Sequence, residues 1–202
     1  MHEGHRERLK TRFLTEGLDN FNQHQVLEML LFYAIPRRDT NPLAHELLKR
    51  YGSLAGVLEA DPEDLCQTPG ISRNAAILLS MIPSLCRRYL NDKWKAKPQL
   101  NSSSKAGEYV CSLFYGRQYE AFYAICMDSQ NRVNYAALIH EGTIDSAPVY
   151  PRLIVEAAIR HQASSLILAH NHPGGSLQPS SADLDATRKI CTACDAISVR
   201  VV

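Results

Sequence analysis

No stretch of these 202 residues stays apolar for the roughly 18 positions that a membrane-crossing helix requires. The amino terminus, Met1-His2-Glu3-Gly4-His5-Arg6-Glu7, has no apolar core of the kind that marks an export signal. No charge of one sign dominates: 22 basic residues face 21 acidic ones, a net charge of +1. That balance removes any global basic field that would recommend nucleic acid as a partner. There is no internal repeat, which excludes solenoids and propellers. Tryptophan occurs once, at Trp94. Cysteine is not scarce, but Cys66, Cys86, Cys111, Cys126, Cys191 and Cys194 form no disulfide framework. Without an export signal they read as reduced thiols, and the chain as cytoplasmic with no membrane partner. The hydrophobic fraction of 45% is ordinary for a globular protein, and the length admits one or two domains.

One segment rises above this background: His170-Asn171-His172-Pro173, a Gly/Pro loop, then Ser180-Ser181-Ala182-Asp183. The preceding Ser164-Ser165-Leu166-Ile167-Leu168-Ala169 reads as a buried strand. In a strand, positions i and i+2 share a face, so His170 and His172 can aim both imidazoles at one point near its end. Residues 173–179 can continue neither strand nor helix. Ser180 or Ser181 then caps a helix, and Asp183 falls in its first turn, facing back toward the histidines. Two imidazoles and a carboxylate suit Zn2+, and three protein ligands leave a fourth position for water, as in catalytic zinc sites. Zinc lowers the pKa of such a water to about 7.

The spacing His-x-His-Pro, six residues, Ser-x-x-Asp resembles the JAMM (MPN+) metalloprotease motif. The surrounding text, with Gly142-Thr143-Ile144-Asp145, Val149-Tyr150-Pro151-Arg152, Gly4-His5-Arg6-Glu7-Arg8-Leu9 and Ile35-Pro36-Arg37-Arg38-Asp39-Thr40-Asn41-Pro42, resembles the bacterial RadC (UPF0758) family. The resemblance implies a cytidine-deaminase-like α/β/α domain with a mixed sheet. It also implies a general acid/base glutamate just before a strand that ends in an Asp-x-x-Asn turn, which here points to Glu120 ahead of Ala121–Met127 and Asp128-Ser129-Gln130-Asn131. Glu141 and Glu156 are the competing carboxylates; Glu156 is expected to face solvent or to pair with Arg160. For Ser180 the resemblance implies a hydroxyl donor to the developing oxyanion, while a helix cap alone also accounts for it. The chain departs from the family at Leu153, where a glutamate is usual, and it stops at Val202 inside what reads as the last strand, either as a shortened form or with its remainder beyond this sequence.

The expected organisation is a helical domain over 1–90, a polar, basic linker over 91–104, and an α/β domain over 105–202. Asn41 is expected to cap a helix from Pro42, Ser104 one through Phe114. Thr68-Pro69-Gly70-Ile71-Ser72 followed by an Ala-rich helix resembles a helix-hairpin-helix, a module that grips DNA phosphate through backbone amides. Ser72 stands where a second glycine is usual, and a helical scaffold explains the same pattern. Cys191-Thr192-Ala193-Cys194 lies late in a helix and reads as packing rather than redox or zinc chemistry. His140 and His161 read as surface residues or, alternatively, as partners standing behind the metal ligands. The function expected is a zinc-dependent hydrolase of peptide or isopeptide bonds acting on a protein or peptide substrate. The alternative is a DNA-associated adaptor with a structural or vestigial zinc site. A zinc deaminase is set aside, because H-x-E and P-C-x-x-C are missing.

Overall fold

A computed structural model describes residues 3–94, 97–142 and 151–202. The Thr143–Tyr150 part of the resemblance quoted above lies outside the described residues. The chain divides into two units, Met1–Cys86 and Arg87–Val202, each with its own core.

The first unit is helical: α1 (Glu3–Glu16), α2 (Gln23–Ala34), α3 (Asn41–Tyr51), α4 (Leu54–Glu59), α5 (Pro62–Leu65) and the start of α6 (Arg73–Lys93). Leu27 and Leu31 of α2 pack on Leu43 and Leu47 of α3, and on Val57, Leu65, Ala75, Ala76 and Leu79. Ser53 and Asp61 cap α4 and α5 through their side chains. The cap of α3 is Thr40, not Asn41, which is already helical. The Asn41 amide instead donates to Glu28 Oε2 (3.1 Å), and the same buried carboxylate meets His5 Nε2 at 2.9 Å. A buried carboxylate without partners is costly, and that demand takes Asn41 away from the helix end. In the 68–72 turn the left-handed conformation falls on Gly70 (φ 98°). Ser72 has no such φ; its hydroxyl accepts from Ala75 N–H (3.2 Å) at the start of α6.

Of residues 91–104, the first three complete α6. Trp94 meets Tyr109 edge-on at 5.3 Å, and Leu100 is buried in the core of the second unit. Ser102, not Ser104, caps α7 (Ser103–Phe114), accepting from Lys105 N–H. With three consecutive serines, local chemistry does not choose the cap.

The second unit is a mixed sheet of order β2-β1-β3-β4. Its strands are β1 (Glu120–Met127), β2 (Val133–Gly142), β3 (Ser165–His170) and β4 (Arg200–Val201). β1 pairs antiparallel with both β2 and β3, and β4 runs parallel to β3. The β1–β2 hairpin turns on Asp128, whose Oδ1 accepts from the Gln130 and Arg132 amides, with Asn131 at φ 57°. β1 lies between two strands and under two layers, so its text, Ala121-Phe122-Tyr123-Ala124-Ile125-Cys126-Met127, is almost continuously apolar. Ala121, Tyr123, Ile125 and Met127 pack on Tyr109 and Leu113 of α7. The alternate residues Ala124 and Cys126, with Leu166 of β3, pack on Ile154 and Ala158 of α8 (Pro151–Arg160) and on Ile190 and Cys194 of α9 (Ser181–Asp195). This is the α/β/α layering that the sequence implied. No helix among the described residues is long and apolar enough to cross a membrane.

Candidate metal centre

The alternation that buries the strands also builds the site. Leu166, Leu168 and His170 point to the α8/α9 face of β3, and His170 is its last residue. Antiparallel partners share a face, so Phe122 of β1 lies beside His170, their rings stacked 6.1 Å apart. Glu120, two residues before Phe122, opens β1 on that same face. Past His170 the chain leaves the sheet. His172 O accepts from Gly175 N–H (2.9 Å), a turn that uses the positive φ of Gly175 (78°). The loop then delivers α9 with Ser180 as its N-cap.

Ser180 and Asp183 form a reciprocal capping box. Asp183 N–H donates to Ser180 Oγ at 3.1 Å, and both Ser180 N–H and Ser180 Oγ–H donate to Asp183 Oδ2 at 2.7 Å. The box fixes the aspartate and turns Oδ2 toward the histidines. Burial pushes the Asp183 carboxyl up, but the Ser180 hydrogen bonds and the two imidazoles outweigh it and hold it below the usual range.

The donor atoms converge. His170 Nε2 and His172 Nε2 are 2.8 Å apart, and they stand 3.6 and 3.8 Å from Asp183 Oδ2. Ligands about 2.0–2.1 Å from one tetrahedral zinc would be separated by about 3.3 Å, within the spread of these three distances. One donor atom from Glu120 joins them, all four lying within 4.8 Å of one another and half-buried. Glu120 Oε2 is itself buried and has no hydrogen-bond partner among the described residues. An unpartnered buried carboxylate oxygen costs about 1–3 kcal/mol or more, a cost that a bound cation or water would relieve. The residues present therefore fit a divalent transition-metal cation.

The other carboxylates go elsewhere. Glu141 sits on β2 opposite Ala121 and is tied to the Tyr119 hydroxyl and the Arg117 guanidinium. Glu156 pairs with Arg160 at 2.7 Å on the exposed side of α8. His161 stacks on Tyr135, ring centroids 3.9 Å apart. His140 is less superficial than expected: it stands opposite Phe122, and its Nε2 is buried without a partner among the described residues. Cys194 is buried in the α9 core and Cys191 half-buried. Burial raises the Cys194 thiol and pushes Cys126 up to about 11, the condition of inert packing thiols.

Residues 100–202 match the RadC-like JAB domain family. Over 195 residues the chain is 36% identical to a UPF0758 protein of Fusobacterium nucleatum subsp. nucleatum, an alignment covering 93% of this chain and 84% of that one. The chain belongs to the RadC (UPF0758) family. This RadC-family chain carries a Glu/His/His/Asp cluster where its JAB domain would hold a metal. Reading the sequence missed Asn171. Its amide accepts from Ala121 N–H at 2.8 Å and donates to Tyr119 O at 3.1 Å. Between two ligands it looks like a spacer, and nothing in the local text marks its reach.

Proposed function

We propose that this RadC-family protein is a zinc-dependent hydrolase of peptide or isopeptide bonds. His170, His172 and Asp183 would hold the zinc, with Glu120 as general acid/base. The observation that carries the reading is the buried, unpartnered Glu120 oxygen beside three converging ligands. When bound, zinc supplies a Lewis acid and a water acidic enough to give hydroxide near neutral pH. Glu120 takes the proton of the attacking water and returns it to the departing amine, the two transfers that amide cleavage needs. The site supports this because, among the described residues, Glu120 Oε2 has no competing hydrogen bond. Ser180 orients Asp183 through the capping box; its one hydroxyl proton goes to Asp183 Oδ2, so donation to the developing oxyanion would require that bond to be exchanged.

The test measures bound zinc and hydrolysis of a fluorogenic peptide library and of isopeptide-linked lysine substrates. Wild type and Glu120→Gln should each hold about one zinc, whereas His172→Ala and Asp183→Ala should lose it. All three variants should be inactive. A zinc-loaded Glu120→Gln protein as active as wild type would overturn the assignment.

A second reading concerns the first unit, as a DNA-contacting module. What supports it is Arg38: a Cβ added to Gly70 would lie 2.6 Å from Arg38 Nη1, so the guanidinium rests on the glycine turn that a phosphate would approach. One α6 amide, that of Ala75, is already taken by Ser72. Fluorescence anisotropy with duplex DNA at several salt concentrations tests it. A salt-dependent affinity weakened by Arg38→Ala supports the reading, and no binding at low salt ends it.

A further inference from the structure

We infer that Asn171 is a positioning residue that sets Glu120 against the metal ligands by standing in for a peptide unit of β3. The inference rests on the role proposed for Glu120 above. The β1–β3 ladder ends at the pair Phe122–His170. Beyond it the β3 main chain turns away to carry His172, so residues 119–121 lose their main-chain neighbour on that side. The Asn171 side chain fills the gap. Its Oδ1 accepts from Ala121 N–H (2.8 Å) and its Nδ2 donates to Tyr119 O (3.1 Å), as a continuing strand would. The partners fix the amide orientation, because a backbone N–H only donates and a carbonyl only accepts.

These two bonds bracket Glu120. One bond would leave the strand end free to swivel; two restrain it. On the other side Glu120 pairs with Gly142 and Ala121 with Glu141, so residue 120 is held from both edges. Glu120 Oε2 has no partner of its own among the described residues, so the backbone clamp largely determines where the carboxylate stands. The clamp comes from the residue between His170 and His172. It therefore references Glu120 to the ligands themselves and not merely to the sheet. A base displaced by about 1 Å loses on the order of a hundredfold in rate, which makes such a reference consequential.

Zinc-loaded wild type, Asn171→Ala and Asn171→Asp are compared by three readouts: exchange of the Ala121 amide by NMR, crystallographic position of the Glu120 carboxylate, and steady-state peptide hydrolysis. In Asn171→Ala the Ala121 amide should exchange about tenfold faster. The carboxylate should move by about 1 Å and kcat fall about a hundredfold, with KM within about threefold and zinc still about one per chain. If Asn171→Ala does not fold, Asn171→Asp decides. It keeps the acceptor for Ala121 and loses the donor to Tyr119, so the amide stays protected while the carboxylate shifts. An unshifted carboxylate in whichever variant folds, or zinc lost with the carboxylate in place, overturns the inference. Wild type that takes up zinc yet cleaves nothing counts against the hydrolase reading alone, since exchange and carboxylate position still decide the clamp.

Discussion

Replacing Glu120 by Gln should make the metal-free protein more stable while removing its activity. In the metal-free state the Glu120 donor oxygen lies no more than 4.8 Å from that of Asp183. At an effective dielectric of about 20, two such charges repel by about 3 kcal/mol. Half-exposure of the cluster reduces that figure, while the unpartnered Oε2 adds a desolvation cost of about 1–3 kcal/mol. Glutamine keeps the size and drops the charge, so the net gain should be about 1–3 kcal/mol. For a unit of this size that raises Tm by about 4–12 °C. The assay is differential scanning calorimetry in a chelator at pH 8, following the transition of the Arg87–Val202 unit. Added zinc should narrow the difference, because the wild-type carboxylate then finds a partner. A metal-free Glu120→Gln protein no more stable than wild type would refute the premise that Glu120 is held in place at a cost.

Three further outcomes follow from the same geometry. Ser180→Ala removes a cap and the hydroxyl bond to Asp183, and should destabilise the second unit by about 0.5–2 kcal/mol with weaker zinc retention in chelator competition. Glu141 is held below the ordinary glutamate range by the Tyr119 hydroxyl, with burial opposing and Arg117 assisting. A depressed folded-state pKa means stability that is present above the unfolded value, about 4.3, and lost as pH falls through the folded one. The denaturant-midpoint advantage of wild type over Glu141→Gln should therefore be full at pH 7 and vanish in acid; an advantage that persists in acid would contradict the ion pair. With a thiol reagent at neutral pH, the exposed Cys66 and Cys111 should label quickly, and the buried Cys126 and Cys194 only on unfolding. Rapid native labelling of Cys194 would show that α9 opens.

The convergence of His170, His172 and Asp183 was legible because their placement is local. β3 ends at His170, His172 opens the turn closed by Gly175 N–H just beyond it, and a Ser-x-x-Asp capping box aims Asp183; each acts within a few residues, though the strand period expected to place His172 stops at His170. Glu120 was legible only through the family resemblance. From residues alone, Glu120, Glu141 and Glu156 are three carboxylates near strand or helix ends. The caps of α3 and α7 were each misplaced, by one residue and by two. Several polar residues stand in a row at both, and at α3 the buried Glu28, from another helix, draws Asn41 away.

What the sequence determined by itself was therefore the local chemistry: a strand that ends at His170 with His172 just beyond it, a loop forced by glycine and proline, and a capped helix start carrying a carboxylate. Tertiary structure decided which distant groups meet that chemistry. Pairing β1 with β3 in one register brings Glu120 rather than Glu141 to the ligands, and it lets Asn171 reach across 50 positions to Ala121. The physical reason is that register depends on burying both faces of β1 at once, against α7 on one side and α8 and α9 on the other. No period within a short window of sequence encodes that condition.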